Sequence, residues 1–180
     1  MKETVLFGGG CFWYVEPAFA ALTGVTYAYP GYSGGLTHYP THEQVAHQGT
    51  GHIEVVHVRY SPNKISFKTL LEAFFFLHDP TSIDRQGVDV GSQYASAIFY
   101  TTPKQHQEAK VYIAALEKKL KKPVVTKLMP AIVFWPASSK HFNYYKHNSL
   151  EPYSFDVIRP ILRSFSKAYG HLVKEGRPGK

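Results

Sequence analysis

The chain carries one cysteine, Cys11, among 180 residues. A single thiol removes every intramolecular disulfide, every multi-cysteine metal site and every secreted disulfide scaffold from the folds open to it. The fold must therefore rest on a hydrophobic core. Hydrophobic residues make up 44%, charged residues 18% and aromatic residues 15% of the chain, a composition that builds such a core and excludes a disordered or fibrous protein. This length suits one core, so a single domain over residues 1–180 is expected. No stretch approaches the roughly 18 apolar residues needed to cross a bilayer. The start Met1-Lys2-Glu3-Thr4 lacks the apolar segment of a signal peptide, and the expectation is a soluble cytoplasmic protein without a membrane partner.

Lys and Arg total 20 against 13 Asp and Glu, a net charge of +7. That excess would suit a polyanion only if it were concentrated. Its densest run, Lys118-Lys119-Leu120-Lys121-Lys122, closes a helical pattern, where cations suit the negative end of the helix dipole. The remaining cluster lies in the tail 174–180, which reads as frayed. Solvated surface explains both, and no nucleic-acid partner is expected.

Thr4 to Phe7 form a short apolar strand that runs into Gly8-Gly9-Gly10-Cys11, and Phe12 to Leu22 carry a helical pattern containing Pro17. Cys11 thus falls at a strand-to-helix turn. Gly24 to Gly35 reads as a strand followed by an irregular loop. From His52 to Tyr60 the alternation is strong, with Glu54, Val56, Val58 and Tyr60 on one face and Ile53, Val55, His57 and Arg59 on the other. Ser66 caps a helix through His78, which Pro80 ends. Gln93 to Tyr100 is a further strand. Thr102-Pro103-Lys104-Gln105 opens a helix to about Leu120 with a capping-box pattern and proline at its first position. Val124 to Trp135 is a strand candidate in which Pro130 indicates an edge or bulge, and Asp156 to Tyr169 is a late amphipathic helix. The alternation of strands and helices without repeats gives a mixed α and β class.

A thiol at a helix start meets the positive end of the dipole and free backbone amides, both of which favour thiolate. The glycines before Cys11 let a substrate approach, and Phe12 and Trp13 place two aromatic surfaces beside the sulfur. The plainer alternative is an inert thiol packed under a turn. Glu54 is the second notable residue, because a carboxylate in the apolar register of a strand must be paired, protonated or functional. Desolvation raises a carboxyl pKa, and a protonated carboxyl can donate during catalysis without repelling a thiolate. The polar segment from Asp79 to Ser96 is long for a mere connection. Four histidines, His42, His47, His52 and His57, recur at intervals of five. That spacing fits neither one helix face nor one strand face, and no metal is expected.

Together these residues resemble the A-type peptide methionine sulfoxide reductases, which reduce the S epimer of methionine sulfoxide. The resemblance covers roughly Val5 to Tyr100. It rests on Gly10-Cys11-Phe12-Trp13 with Glu16, on Gly31-Tyr32-Ser33-Gly34-Gly35, on Gly51-His52-Ile53-Glu54-Val55-Val56, and on His78-Asp79-Pro80 followed by Arg85-Gln86-Gly87-Val88-Asp89-Val90-Gly91-Ser92-Gln93-Tyr94. The implied fold is α+β, a two-layer α/β plait with a ferredoxin-like core, additional helices and long loops.

The resemblance implies that Cys11 attacks the sulfoxide sulfur and that Glu54 protonates the departing oxygen. Phe12, Trp13 and Tyr32 form an apolar wall for the substrate methyl group, while Asp89 and Tyr94 complete the polar side. Where the family carries a tyrosine donor, this chain has His42. Val88 and Ala95 also depart from the family pattern, and no resolving cysteine exists. The expectation is a one-cysteine enzyme without a cofactor. Its substrates are oxidised proteins or free methionine sulfoxide, and an external thiol such as thioredoxin, or glutaredoxin with glutathione, recycles its sulfenic acid. The alternatives are a sulfoxide-peptide binding protein without efficient turnover and, less favoured, an acyl-transfer thiol enzyme, for which no triad is readable.

Overall fold

The computed structural model describes residues 2–47 and 49–174; most of the basic tail lies outside them. The first strand, β1 (Glu3–Gly8), leads through a glycine turn into α1 (Phe12–Ala21). Then follow β2 (Val25–Ser33), the short α2 (His42–Ala46), β3 (Ile53–Tyr60) and α3 (Phe67–Phe76). A miniature hairpin, β4 (Arg85–Gln86) and β5 (Asp89–Val90), precedes β6 (Ala97–Tyr100) and α4 (Pro103–Leu120). The last part comprises β7 (Lys127–Pro130), β8 (Trp135–Pro136), α5 (Tyr144–His147) and α6 (Arg159–Tyr169).

Six strands form one sheet in the order β7-β6-β1-β3-β2-β8. The pairs β6-β1, β1-β3, β3-β2 and β2-β8 are antiparallel, and β6-β7 is parallel. The period-two pattern of β3 sends Val56, Val58 and Tyr60 into the main core, where they join Val5, Phe7, Ala28, Tyr32 and Ile98. Helices α1 and α3 add Phe19, Leu70 and Phe74 to that face. Phe7 is sandwiched between Phe19 and Phe74 at centroid distances of 4.9 and 4.8 Å. Fully burying each of these side chains contributes about 2 kcal/mol. Ile53, Val55, Leu6, Ala97 and Phe99 form a second cluster on the opposite face, covered by Met129, Ala131 and Phe134.

Several boundaries differ from the sequence reading. Strand β2 continues to Ser33, with Tyr32 inside it rather than in a loop. Pro30 keeps its carbonyl in use, accepting from the Ala137 amide at 3.0 Å. Only Ala97–Tyr100 of the expected strand from Gln93 is extended, because Ser92–Tyr94 form a 3₁₀ turn. Gln105 does not close a reciprocal box with its cap Thr102; its side chain accepts from the Thr101 amide at 2.8 Å.

The candidate strand from Val124 to Trp135 is split into β7 and β8. These lie at opposite edges of the sheet, so residues 131–134 cross its second face. The late helix is preceded by a π turn at Ser154–Ile158. Pro160, inside the first turn of α6, has no amide to extend a regular ladder back into that turn.

Candidate active site

Helix α1 begins directly at Phe12, with Cys11 as its cap residue. The turn that aims it depends on Gly10, at φ +96°, where a Cβ would overlap the Tyr14 hydroxyl. That hydroxyl donates to the Gly9 carbonyl at 2.9 Å and locks the turn from inside. Such a backbone conformation is strained for any side-chain-bearing residue.

Glu54 occupies the helix-facing register of β3, next to the start of α1. Its Oε2 accepts the Phe12 amide at 3.0 Å, so one of the free amides of the helix start is satisfied by a carboxyl 42 positions away. Oε1 stands 3.5 Å from His42 Nε2, and the two side chains are 3% and 33% exposed. Burial pushes the Glu54 carboxyl above its ordinary value, against the opposing pull of His42 and the Phe12 amide.

His42 is held at the first position of α2 by a capping box. Thr41 Oγ1 accepts from the Gln44 amide at 3.2 Å, and Gln44 Oε1 accepts from the Thr41 amide at 2.9 Å.

Cys11 is only 5% exposed. Burial and the nearby Glu54 raise its thiol well above the ordinary cysteine value, outweighing the hydrogen bond from the Trp13 backbone. Desolvation thus works against the pull of the helix start toward thiolate and favours the thiol.

The polar loop delivers two more residues. Gln86 Nε2 donates to the Asp79 carbonyl at 2.8 Å and Gln86 Oε1 accepts the Asp79 amide at 2.9 Å, tying the hairpin to the end of α3. Asp89 then lies where it raises the Cys11 thiol further. Burial raises Asp89 itself. The 3₁₀ turn after Gly91 presents Tyr94, whose phenol is held protonated by burial and by Glu54 and Cys11. His78 anchors the same region, donating from Nδ1 to the Phe74 carbonyl at 2.9 Å and accepting at Nε2 from Ser96 Oγ at 2.7 Å. Burial drives its pKa down to about 4.

The aromatic wall is larger than the sequence indicated. Phe12 lies 5.7 Å from Tyr32 and 6.1 Å from His42, and Trp13 stacks on His42 at 6.2 Å. All eight sequence-derived residues thus converge. Three others join them from a part of the chain where the sequence resemblance thins. Tyr144 stacks on Trp13 at 3.6 Å, nearly parallel. His141 accepts the Trp13 indole N–H at 3.1 Å on Nδ1 and packs 4.6 Å from His42. Tyr153 donates to Asp89 and stands edge-on to Trp13 at 5.8 Å. Their only sequence signal was a density of histidine and aromatic residues without a helical or strand period.

The other histidines of the five-residue series go elsewhere. His52 pins the loop before α2, accepting the Gly35 amide on Nδ1 and donating from Nε2 to the Thr37 carbonyl. His57 packs against Phe134 on the second face. Among the described residues no three His, Cys, Asp or Glu side chains gather as a ligand set, and no helix is long and apolar enough to cross a membrane.

Comparison with known proteins extends the resemblance over the C-terminal third. A peptide methionine sulfoxide reductase family model matches residues 3–172. The peptide methionine sulfoxide reductase MsrA of Chromobacterium violaceum is 44% identical over 174 residues, 96% of this chain and 99% of its own. That of Thermus thermophilus is 43% identical over 173 residues, covering 96% and 98%. Among solved structures, methionine sulfoxide reductase A of Corynebacterium diphtheriae superposes with a TM-score of 0.75 at 34% identity, over 83% of this chain and 76% of that one. With its thiol and buried carboxyl set at one helix start, the chain belongs to the peptide methionine sulfoxide reductase family.

Proposed function

We propose that this protein reduces the S epimer of methionine sulfoxide to methionine, with Cys11 as nucleophile and Glu54 as proton donor. The observation that carries this reading is the joint anchoring of both groups at the start of α1, Cys11 as its cap and Glu54 on the next amide. Glu54 gives its proton to the sulfoxide oxygen as the Cys11 sulfur attacks the sulfoxide sulfur. The thiol's own proton passes to the vacated carboxylate. The hydroxyl then moves to Cys11 as the sulfur–oxygen bond of the substrate breaks, leaving methionine and a cysteine sulfenic acid. The thiol sulfur is oxidised by two electrons and the substrate sulfur reduced by two, so the half-reaction balances without another reactant.

With one cysteine in the chain, the sulfenic acid is returned to thiol by external reductant. Two thiols, or a dithiol protein of the thioredoxin or glutaredoxin type, release water and become a disulfide. Oxidised proteins and free methionine sulfoxide are the substrates. Phe12 and Trp13 wall the methyl group, and Asp89, Tyr94 and His42 supply the polar side. We read the chain as one domain. Its central strands, in the order β6-β1-β3-β2 with α1 and α3 on one face, form a two-layer plait with a ferredoxin-like core. Separate R and S epimers of a blocked methionine sulfoxide, supplied with dithiothreitol, test the reading. Multiple turnovers of the S epimer alone are expected, and turnover of neither epimer overturns it.

A further inference from the structure

Tyr32 is 1% exposed, and among the described residues its hydroxyl has no hydrogen-bond partner. It stands directly across from Glu54 in the β2–β3 ladder, on the face that meets α1. Its ring lies 5.7 Å from Phe12. Burial, with Glu54 and Cys11 close by, keeps the phenol protonated, which makes it a donor. Glu54 Oε2 takes the Phe12 amide and Oε1 faces His42, and neither oxygen pairs with the phenol. A buried donor left unpaired costs about 1–3 kcal/mol, a cost removed when an acceptor arrives. The group that arrives in this site and differs between substrate and product is the sulfoxide oxygen.

We propose that Tyr32 Oη donates a hydrogen bond to the sulfoxide oxygen and adds to the pocket's preference for oxidised over reduced methionine. Its ring walls the methyl group while its hydroxyl reads the oxygen. The same strand position thus serves both halves of recognition. This assignment rests on the reductase reading of the site.

The test is equilibrium binding by calorimetry to the Cys11→Ser protein, with and without Tyr32→Phe, using blocked methionine S-sulfoxide and blocked methionine. Cys11→Ser is expected to prefer the sulfoxide. Tyr32→Phe should reduce that preference about fivefold to tenfold, the worth of one neutral hydrogen bond, through weaker sulfoxide binding alone. Because the hydroxyl has no partner among the described residues to lose, the thermal midpoint of Tyr32→Phe should not fall. An unchanged preference overturns the proposal and leaves the reductase reading standing, as does a midpoint lowered by several degrees. If Cys11→Ser itself binds both compounds equally, the reductase reading of the pocket falls together with the proposal.

Discussion

Tyr153 Oη donates a 2.6 Å hydrogen bond to Asp89 Oδ2, joining the segment before α6 to the β4–β5 hairpin beside the Cys11 thiol. The same hydroxyl also pulls the thiol's pKa down, against the larger effect of burial. In Tyr153→Phe the ring still covers the site, but the hydroxyl that donates to Asp89 and favours the charged form of the nearby thiol is gone. Alkylation of Cys11 by iodoacetamide at neutral pH is therefore expected to slow several-fold. A faster reaction would show that the hydroxyl acts as a barrier instead of a donor.

Because burial raises the Cys11 thiol well above the ordinary cysteine value, its alkylation rate should still be climbing past pH 9, where an ordinary cysteine levels off. Cys11→Ser should abolish reduction while leaving the thermal midpoint near that of the wild type. Without reductant, one equivalent of enzyme should form one equivalent of methionine and stop, with Cys11 held as a sulfenic acid that dimedone labels. A yield of two would reveal a second reducing group.

Glu54→Gln should lower the rate by more than tenfold, since the proton donor is lost while the amide acceptor for Phe12 is kept. The raised Glu54 pKa means that wild-type activity falls as pH climbs through it, when the carboxyl loses its proton. Stability follows the same sign. A carboxyl that holds its proton more tightly folded than unfolded stabilises fully below its unfolded pKa, and this contribution is lost as pH rises through the folded value. Glu54→Gln should therefore melt higher than wild type at pH 8, with the difference vanishing near pH 4. A melting difference independent of pH would refute the assigned shift.

His42 lowers the Glu54 pKa through its Nε2 contact at 3.5 Å. Removing it in His42→Ala should shift the alkaline limb of the pH–rate profile to higher pH and raise the Michaelis constant. His42→Tyr, which restores a hydroxyl donor, should keep activity at or above the wild-type level. Profiles identical to wild type in both variants would place His42 outside the chemistry.

Cys11 and Glu54 were legible in the sequence because each sits in a pattern that local geometry enforces. A strand, three glycines and a helix start aim the thiol, and a period-two alternation places the carboxyl on the buried face. The protonation state of Cys11 was not legible, since it depends on how deeply residues from elsewhere bury the thiol. His141, Tyr144 and Tyr153 escaped for a related reason. They lie in a short 3₁₀ turn, a four-residue helix and the run into a π turn, where no period exists and tertiary packing alone decides position. Tyr32 was assigned to the pocket for its ring, whereas its unpartnered hydroxyl became visible only once its neighbours were in place.

The ribbon from Lys127 to Pro136 has a consequence for solubility. By supplying both outer strands, it shields β6 and β2, whose backbone groups would otherwise stand open as templates for another chain. Both strands it contributes are short, and each ends in proline, a residue that cannot donate to an added neighbour. One stretch of chain therefore guards both flanks, and a single proteolytic nick between Pro130 and Trp135 would loosen both together, turning a capped sheet into a seed for aggregation.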